Sequence, residues 1–172
     1  MPTIGTSDLT VAPLCLGGNT FGWTSNEETS LRVLSEFAAG GGNFVDTADA
    51  YTAWIPGNSG GESETIIGKW FATAGNRADI VLATKVAKHP DFRGLAPENI
   101  ARAAEASLQR LQSDYIDLYY AHEEDPKTPI AESVAAFAEL QKAGKVRYVG
   151  LSNFSADSVR EWISAADEQG VE

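Results

Sequence analysis

The sequence predicts an α/β fold in which strands and helices alternate and the strands lie parallel in one sheet. Short apolar strands recur between longer segments of helical apolar spacing, five times in 172 residues. Such alternation implies right-handed crossovers between parallel strands. One run, residues 79–86, is apolar through Ile80, Val81, Leu82 and Ala83, as expected of a strand covered on both faces. Glycine and proline fall where these segments begin and end.

Taken in order, residues 3–12 read as a small hairpin turning at Thr6-Ser7-Asp8. Leu14-Cys15-Leu16-Gly17-Gly18 reads as a first buried strand, and Asn19-Thr20-Phe21-Gly22-Trp23 as its loop. Ser25-Asn26-Glu27-Glu28 reads as a capping box, with Ser25 as the cap and Glu28 reaching back. The first helix places Leu31, Leu34, Phe37 and Ala38 inward and stops at Gly40-Gly41-Gly42. Phe44-Val45-Asp46 is the second strand, followed by Tyr51 and the loop Gly57-Asn58-Ser59-Gly60-Gly61. The second helix opens on Glu62 and Glu64, acids that suit the positive end of the helix dipole, with Ile66, Ile67, Trp70 and Phe71 inward.

Pro97 begins the third helix, whose inward face is Ile100, Ala103, Ala104, Leu108 and Leu111. Residues 116–122 form the fourth strand, ending at His122. Thr128-Pro129 opens the fourth helix, with Ile130, Val134 and Phe137 inward, and Gly144 ends it. Residues 146–151 form the fifth strand; the fifth helix follows Ser155, with Val159, Trp162, Ile163 and Ala166 inward. No linker, duplication or low-complexity tract interrupts this pattern, so residues 1–172 are expected to form one domain.

Composition narrows the function. Hydrophobic content of 43% with 22% charge excludes a disordered chain. A net charge of −11, with scattered lysines and arginines, argues against nucleic-acid and anionic-membrane surfaces. No apolar run reaches the roughly 18 residues of a membrane span, and no secretory leader is visible at Met1. Cys15 has no intrachain partner, which favours a reducing, cytoplasmic setting where the Asn153-Phe154-Ser155 acceptor triplet is idle.

The strand ends carry the chemistry. Gly18-Asn19 follows the first, Asp46 and Tyr51 the second, Lys85 closes the third, His122 the fourth and Ser152-Asn153 the fifth. Taken singly, each has an ordinary role: Asp46 as a turn cap, Tyr51 in packing, Lys85 reaching to solvent, His122 as a structural histidine. An acid, a phenol, an amine and an imidazole at successive strand ends of one sheet instead define a convergent site. A carbonyl reduced by hydride gains negative charge on oxygen and needs a proton. Tyrosine, with a pKa of about 10, is a poor donor near neutrality. A nearby ammonium is expected to lower that pKa, and an adjacent carboxylate to hold the ammonium. A histidine beside the phenol can orient the carbonyl or assist the transfer.

These residues resemble the aldo-keto reductase superfamily. The similar segments are Gly42-Asn43-Phe44-Val45-Asp46-Thr47-Ala48-Asp49-Ala50-Tyr51, Ala83-Thr84-Lys85-Val86, Ser107-Leu108 through Asp114-Tyr115-Ile116-Asp117-Leu118 to His122, and residues 144–154. The resemblance implies a (β/α)8 barrel and NADP(H)-dependent carbonyl reduction. It places the family's tetrad on Asp46, Tyr51, Lys85 and His122. It places the nicotinamide carboxamide contacts on Ser152 and Asn153, and ribose contacts on Gly18, Asn19, Thr20 and Phe21, with Asp46 also beside the cofactor. Trp23 and Trp54 are expected either to line an apolar substrate pocket or to pack as loop lids. The loop at residues 52–61 is similar to the branch that includes potassium-channel β-subunits and bacterial reductases.

Five βα units cover part of an eight-unit barrel, which needs roughly 250 residues. The chain is therefore expected to be an N-terminal portion of a barrel. Self-association or a missing C-terminal half would complete it, and cofactor binding alone would be weak. Other readings stay open: a metal-dependent barrel enzyme using His122-Glu123-Glu124-Asp125, or a non-catalytic, redox-sensing subunit of the same family. The first lacks a recognised ligand spacing, and no metal is expected. The glycine loop lacks the Gly-Lys-Ser/Thr of a phosphate-binding loop.

Overall fold

In a computed structural model, which describes residues 1–171, five parallel strands form a sheet backed by five helices. The elements are β1 (Cys15–Gly17), α1 (Glu27–Ala39), β2 (Phe44–Asp46), α2 (Glu62–Ala74) and β3 (Val81–Val86). A short antiparallel ribbon follows, β4 (Lys88–His89) with β5 (Phe92–Arg93). Then come α3 (Pro97–Leu111), β6 (Ile116–Ala121), α4 (Ile130–Lys142), β7 (Val146–Leu151) and α5 (Ala156–Gln169). The sheet order β1-β2-β3-β6-β7 is the partial arc of a βα barrel, left open. Among the described residues no helix is long and apolar enough to cross a membrane.

Successive residues of a strand point to opposite faces. On the outer face Val45, Leu82 and Tyr119 pack with Ile67, Trp70, Ile100, Leu111 and Phe137 from the helices, forming the main core. On the inner face Val81, Ala83 and Leu118 are covered by Leu9 and Val11 of the N-terminal arm. That arm floors the half-barrel and leaves the strands' carboxyl ends open above it.

The α2–α3 contact is unusually close. A Cβ built on Gly68 would lie 2.1 Å from the Arg110 carbonyl oxygen, so only a hydrogen fits. Arg77 ties the lower rim, donating to the Ile80 and Tyr115 carbonyls and pairing with Asp117 at 2.8 Å.

Several local expectations are corrected. Residues 3–12 do turn back on themselves, but the hairpin is minimal: one antiparallel bridge, Thr3 with Thr10, flanked by bonds from the Ile4 N–H to the Leu9 carbonyl and from the Val11 N–H to the Pro2 carbonyl. The first strand is an edge, so Leu14 is 67% exposed instead of buried. Asn26, not Ser25, caps α1; its Oδ1 accepts from the Thr29 N–H at 2.9 Å. Ser25 instead receives the Ser30 hydroxyl. β3 starts at Val81 because Arg77–Asp79 form a 3₁₀ turn. Trp162 anchors α5, but Ile163 is 54% exposed and faces away from the core.

Candidate active site

The open end of the sheet gathers residues that are far apart in sequence. Lys85 and Asp46 sit on the same inner face, because β2 and β3 pair with Asp46 opposite Ala83. The Lys85 Nζ donates to both Asp46 carboxylate oxygens at 2.7 Å and to the Thr47 carbonyl at 2.7 Å. It also reaches the Tyr51 hydroxyl at 2.9 Å, and that hydroxyl donates to Asp46 Oδ2 at 3.3 Å. An acid, an amine and a phenol are thus in mutual contact.

Tyr51 is held by its own turn. Its N–H bonds the Ala48 carbonyl, and Thr52, in the left-handed region at φ 71, gives its hydroxyl to the Tyr51 carbonyl at 2.6 Å. Thr52 also meets the Glu62 carboxylate at 2.7 Å, which accepts from the Ser59 and Gly60 N–H groups. Burial opposes ionisation of Glu62, but these hydrogen bonds outweigh it and keep its pKa below the usual range. Glu62, read in sequence as an ordinary first-turn acid, fastens the loop that carries Tyr51.

The electrostatics depart from expectation at Tyr51. Its pKa is pushed up, by burial first and then by the Asp46 charge and hydrogen bond. Asp46 neutralises much of the ammonium's effect, so the resting phenol is held neutral rather than acidified. Lys85 is pulled down from its ordinary value by burial, with Asp46 working the other way.

His122 follows β6, its N–H bonded to the Val86 carbonyl at 2.9 Å. Its ring stands edge-on to Tyr51, centroids 6.1 Å apart, and its buried Nδ1 has no hydrogen-bond partner. Burial, then the Lys85 and Lys88 charges, lower its pKa to about 4, so the imidazole is neutral at ordinary pH. Beyond β7, Asn153 adopts φ 60 and its Nδ2 donates to the His122 carbonyl at 2.8 Å and to Ser152 Oγ at 2.9 Å. This joins the Ser152–Asn153 pair to the backbone of His122.

Trp23 and Trp54 pack edge to face at 5.8 Å, both about half exposed, and Trp54 also meets Tyr51 edge-on at 6.4 Å. In the loop after β1, the Gly18 N–H bonds the Asp46 carbonyl at 2.7 Å, and Asn19 and Thr20 follow at the same rim. Phe21 departs from expectation: the residue is 2% exposed and belongs to the core, with its N–H bonded to the Gly18 carbonyl at 3.0 Å.

Two neighbours went unnoticed in the sequence. The Tyr120 ring lies 5.8 Å from Lys85 Nζ, and stepping back two residues from His122 along an alternating strand would have found it. Cys15 stands near enough to feel Asp46 and Lys85; burial and then the Asp46 charge raise its thiol to about 11, which keeps it protonated and unreactive. Among the described residues, no group of three or more His, Cys, Asp and Glu could hold a metal ion.

A parallel βα sheet with a carboxylate, ammonium and phenol locked together at its open end has the arrangement of a partial βα barrel, whose functional groups gather at the carboxyl ends of the strands. Residues 13–170 match the model of the Aldo/keto reductase family, and the chain belongs to that family. It is 43% identical to the uncharacterized oxidoreductase YrpG of Bacillus subtilis, over 88% of this chain and 48% of the relative. It is 37% identical to norsolorinic acid reductase B of Aspergillus parasiticus, over 96% of this chain and 46% of the relative. With Protein tas of Escherichia coli it shares 33% identity, covering 96% and 55%. The chain spans about half the length of these curated relatives.

Proposed function

We propose that this chain carries the proton-transfer half of an NADP(H)-dependent carbonyl reductase acting on aldehydes or ketones in the cytoplasm. The observation that carries the reading is the Tyr51 hydroxyl held 2.9 Å from Lys85 Nζ, with Asp46 bonded to both groups. Resting Tyr51 keeps its proton through the physiological range. When negative charge develops on a substrate oxygen, Tyr51 gives up that proton, and the ammonium at hydrogen-bond distance stabilises the tyrosinate left behind. Asp46 keeps the ammonium charged and aimed, against the burial that would discharge it. His122, neutral and with Nδ1 unpartnered, offers one ring N–H to orient the carbonyl.

The residues present fit the nicotinamide end of the cofactor. Ser152 and Asn153 place a hydroxyl and an amide at the end of β7, on the rim that carries His122, where a carboxamide would find both donor and acceptor. A nicotinamide held there would supply the hydride to the carbonyl carbon while Tyr51 supplies the proton to its oxygen, giving an alcohol. Gly18, Asn19 and Thr20 offer backbone and small polar groups on the same rim, at the opposite edge of the sheet. Grip on the remainder of the cofactor would come from further barrel strands, in a continuation of the chain or in a second chain. The Trp23–Trp54 pair beside Tyr51 suits an apolar carbonyl compound.

The test is Tyr51→Phe in the complete barrel, followed by loss of reduced nicotinamide absorbance with an aldehyde. Turnover should fall by about 10²- to 10⁴-fold, the usual contribution of a positioned proton donor. Nicotinamide affinity should stay nearly the same. Unchanged turnover would remove Tyr51 from the role.

A further inference from the structure

A second set of ionisable groups lies on the other side of the sheet from Lys85, where α2 and α3 pack. Glu64, on α2, is fully buried. Its Oε2 pairs with Arg110 Nε at 2.7 Å, and its Oε1 accepts the Thr84 hydroxyl at 2.5 Å. Arg110, on α3, is the cation of this set, and Glu64 engages it. Asp49, in the turn between Asp46 and Tyr51, is also fully buried, and neither of its carboxylate oxygens has a hydrogen-bond partner. The Tyr119 hydroxyl on the outer face of β6 is likewise buried and unpartnered. The groups that act on Asp49 are Glu64 from α2, Arg110 from α3, the neighbouring Ala50 N–H of its own turn and Lys85 from β3, and Asp49 in turn acts on Tyr119 from β6. His89 of β4 lies across Gly60, where an added Cβ would meet both the His89 ring and the Asp49 carbonyl.

An ionised Asp49 would be a second carboxylate beside Glu64, sharing a cation already committed. A buried charge in that position is strongly disfavoured, whereas a neutral acid is tolerated. Burial first, then repulsion from Glu64, raise the Asp49 pKa to about 8, with Arg110 opposing. The backbone of Asp49 matters to the active site: its N–H bonds the Lys85 carbonyl at 3.3 Å, and the next turn bond runs from the Tyr51 N–H to the Ala48 carbonyl. The residue thus stitches the Tyr51 turn to the strand that bears Lys85.

We propose that Asp49 is a positioning residue for the Tyr51–Lys85 pair, which holds the Tyr51 turn against β3 as a neutral acid and loosens it on ionisation. Charging Asp49 sets it against Glu64 and draws it towards Arg110, pulling on its bond to the Lys85 carbonyl. The hydroxyl-to-ammonium contact then lengthens. The inference rests on Tyr51 and Lys85 forming the reactive pair. Its readout is structural, so it can fail without that pair's chemistry failing.

The experiment is an NMR titration of the 172-residue chain with ¹³C-labelled aspartate and tyrosine, in the parent and in Asp49→Asn. The parent should show one aspartate carboxyl titrating near pH 8, with the Tyr51 ring signals moving at the same midpoint. Asp49→Asn, a neutral isostere, should remove that carboxyl transition and hold the Tyr51 signals at their low-pH positions throughout. Circular dichroism should show the same fold in both proteins. A Tyr51 transition that persists near pH 8 in Asp49→Asn overturns the proposal, as does an Asp49 that titrates in the parent while the Tyr51 signals stay fixed. Tyr51→Phe turnover in the complete barrel tests the proton-donor role separately.

Discussion

Asp46 and Asp49 leave the same strand end three residues apart, yet the fold gives them opposite surroundings. Asp46 turns to the inner face, keeps 24% of its side chain exposed, and meets Lys85 through both oxygens. Asp49 is fully buried; its strongest charged neighbours come from α2 and α3, where Glu64 takes the cation, and Lys85 of β3 acts on it more weakly. The difference teaches that burial alone does not make a carboxylate costly; what decides is whether a cation comes with it. On the inner face, charge is compensated and available for chemistry. On the outer face, one cation serves two acids, and a proton must serve where the second cation is missing.

That contrast can be broken most forcefully at Arg110. Arg110→Met strands Glu64 beside Asp49, and urea unfolding should show a loss of about 3–5 kcal/mol, the usual cost of breaking a buried pair. A loss no larger than that of an exposed ion pair would dissolve the distinction between the two faces.

The pH dependence of stability sharpens the comparison next. The folded pKa of Asp49 lies above its ordinary 3.8, so the folded state holds a proton that the unfolded chain gives up. Stability from this group is complete below 3.8 and is lost as pH rises towards about 8. Thermal or urea unfolding across that window should therefore show a decline on the order of a few kcal/mol in the parent, flattened in Asp49→Asn. Equal slopes in the two proteins would show that Asp49 ionises as readily in the fold as outside it.

The smallest effect is expected at Lys85. Lys85→Met leaves Asp46 unpaired, but part of that carboxylate faces solvent and can recover hydration. The loss on urea unfolding should be about 1–3 kcal/mol, below that of Arg110→Met. A larger loss than at Arg110 would reverse the ranking of the two faces.

The sequence was most legible where each statement needed only one strand. Lys85 closes a strand that is apolar along most of its length, and Asp46 and His122 close or follow others, so their meeting at one end follows from parallel pairing alone. The helix faces were equally readable, since Ile67, Trp70, Ile100 and Phe137 follow helical spacing and are buried. What escaped depends on partners far along the chain. Glu64 resembles any first-turn acid until Arg110, 46 positions later, arrives to pair with it. The β4–β5 ribbon has strands of two residues, too short for any periodicity to mark. Leu14 and Ile163 are apolar but lie where no further element packs on them among the described residues, so hydrophobicity alone misplaced them. The rise of the Tyr51 pKa escaped because proximity to an ammonium was weighed without the burial of the phenol or the effect of the Asp46 charge on it.

Gly68 gives these electrostatics a mechanical setting. With the α3 backbone where a side chain would be, the spacing of the two helices is set by main chain against main chain, with no rotamer to yield. The residues of the outer-face ion pair stand on those two helices, so the length of the Glu64–Arg110 bond is gauged by a position that carries neither charge nor side chain. Even a single methyl there would act as a wedge between α2 and α3, prising the Arg110 cation from the Glu64 acid.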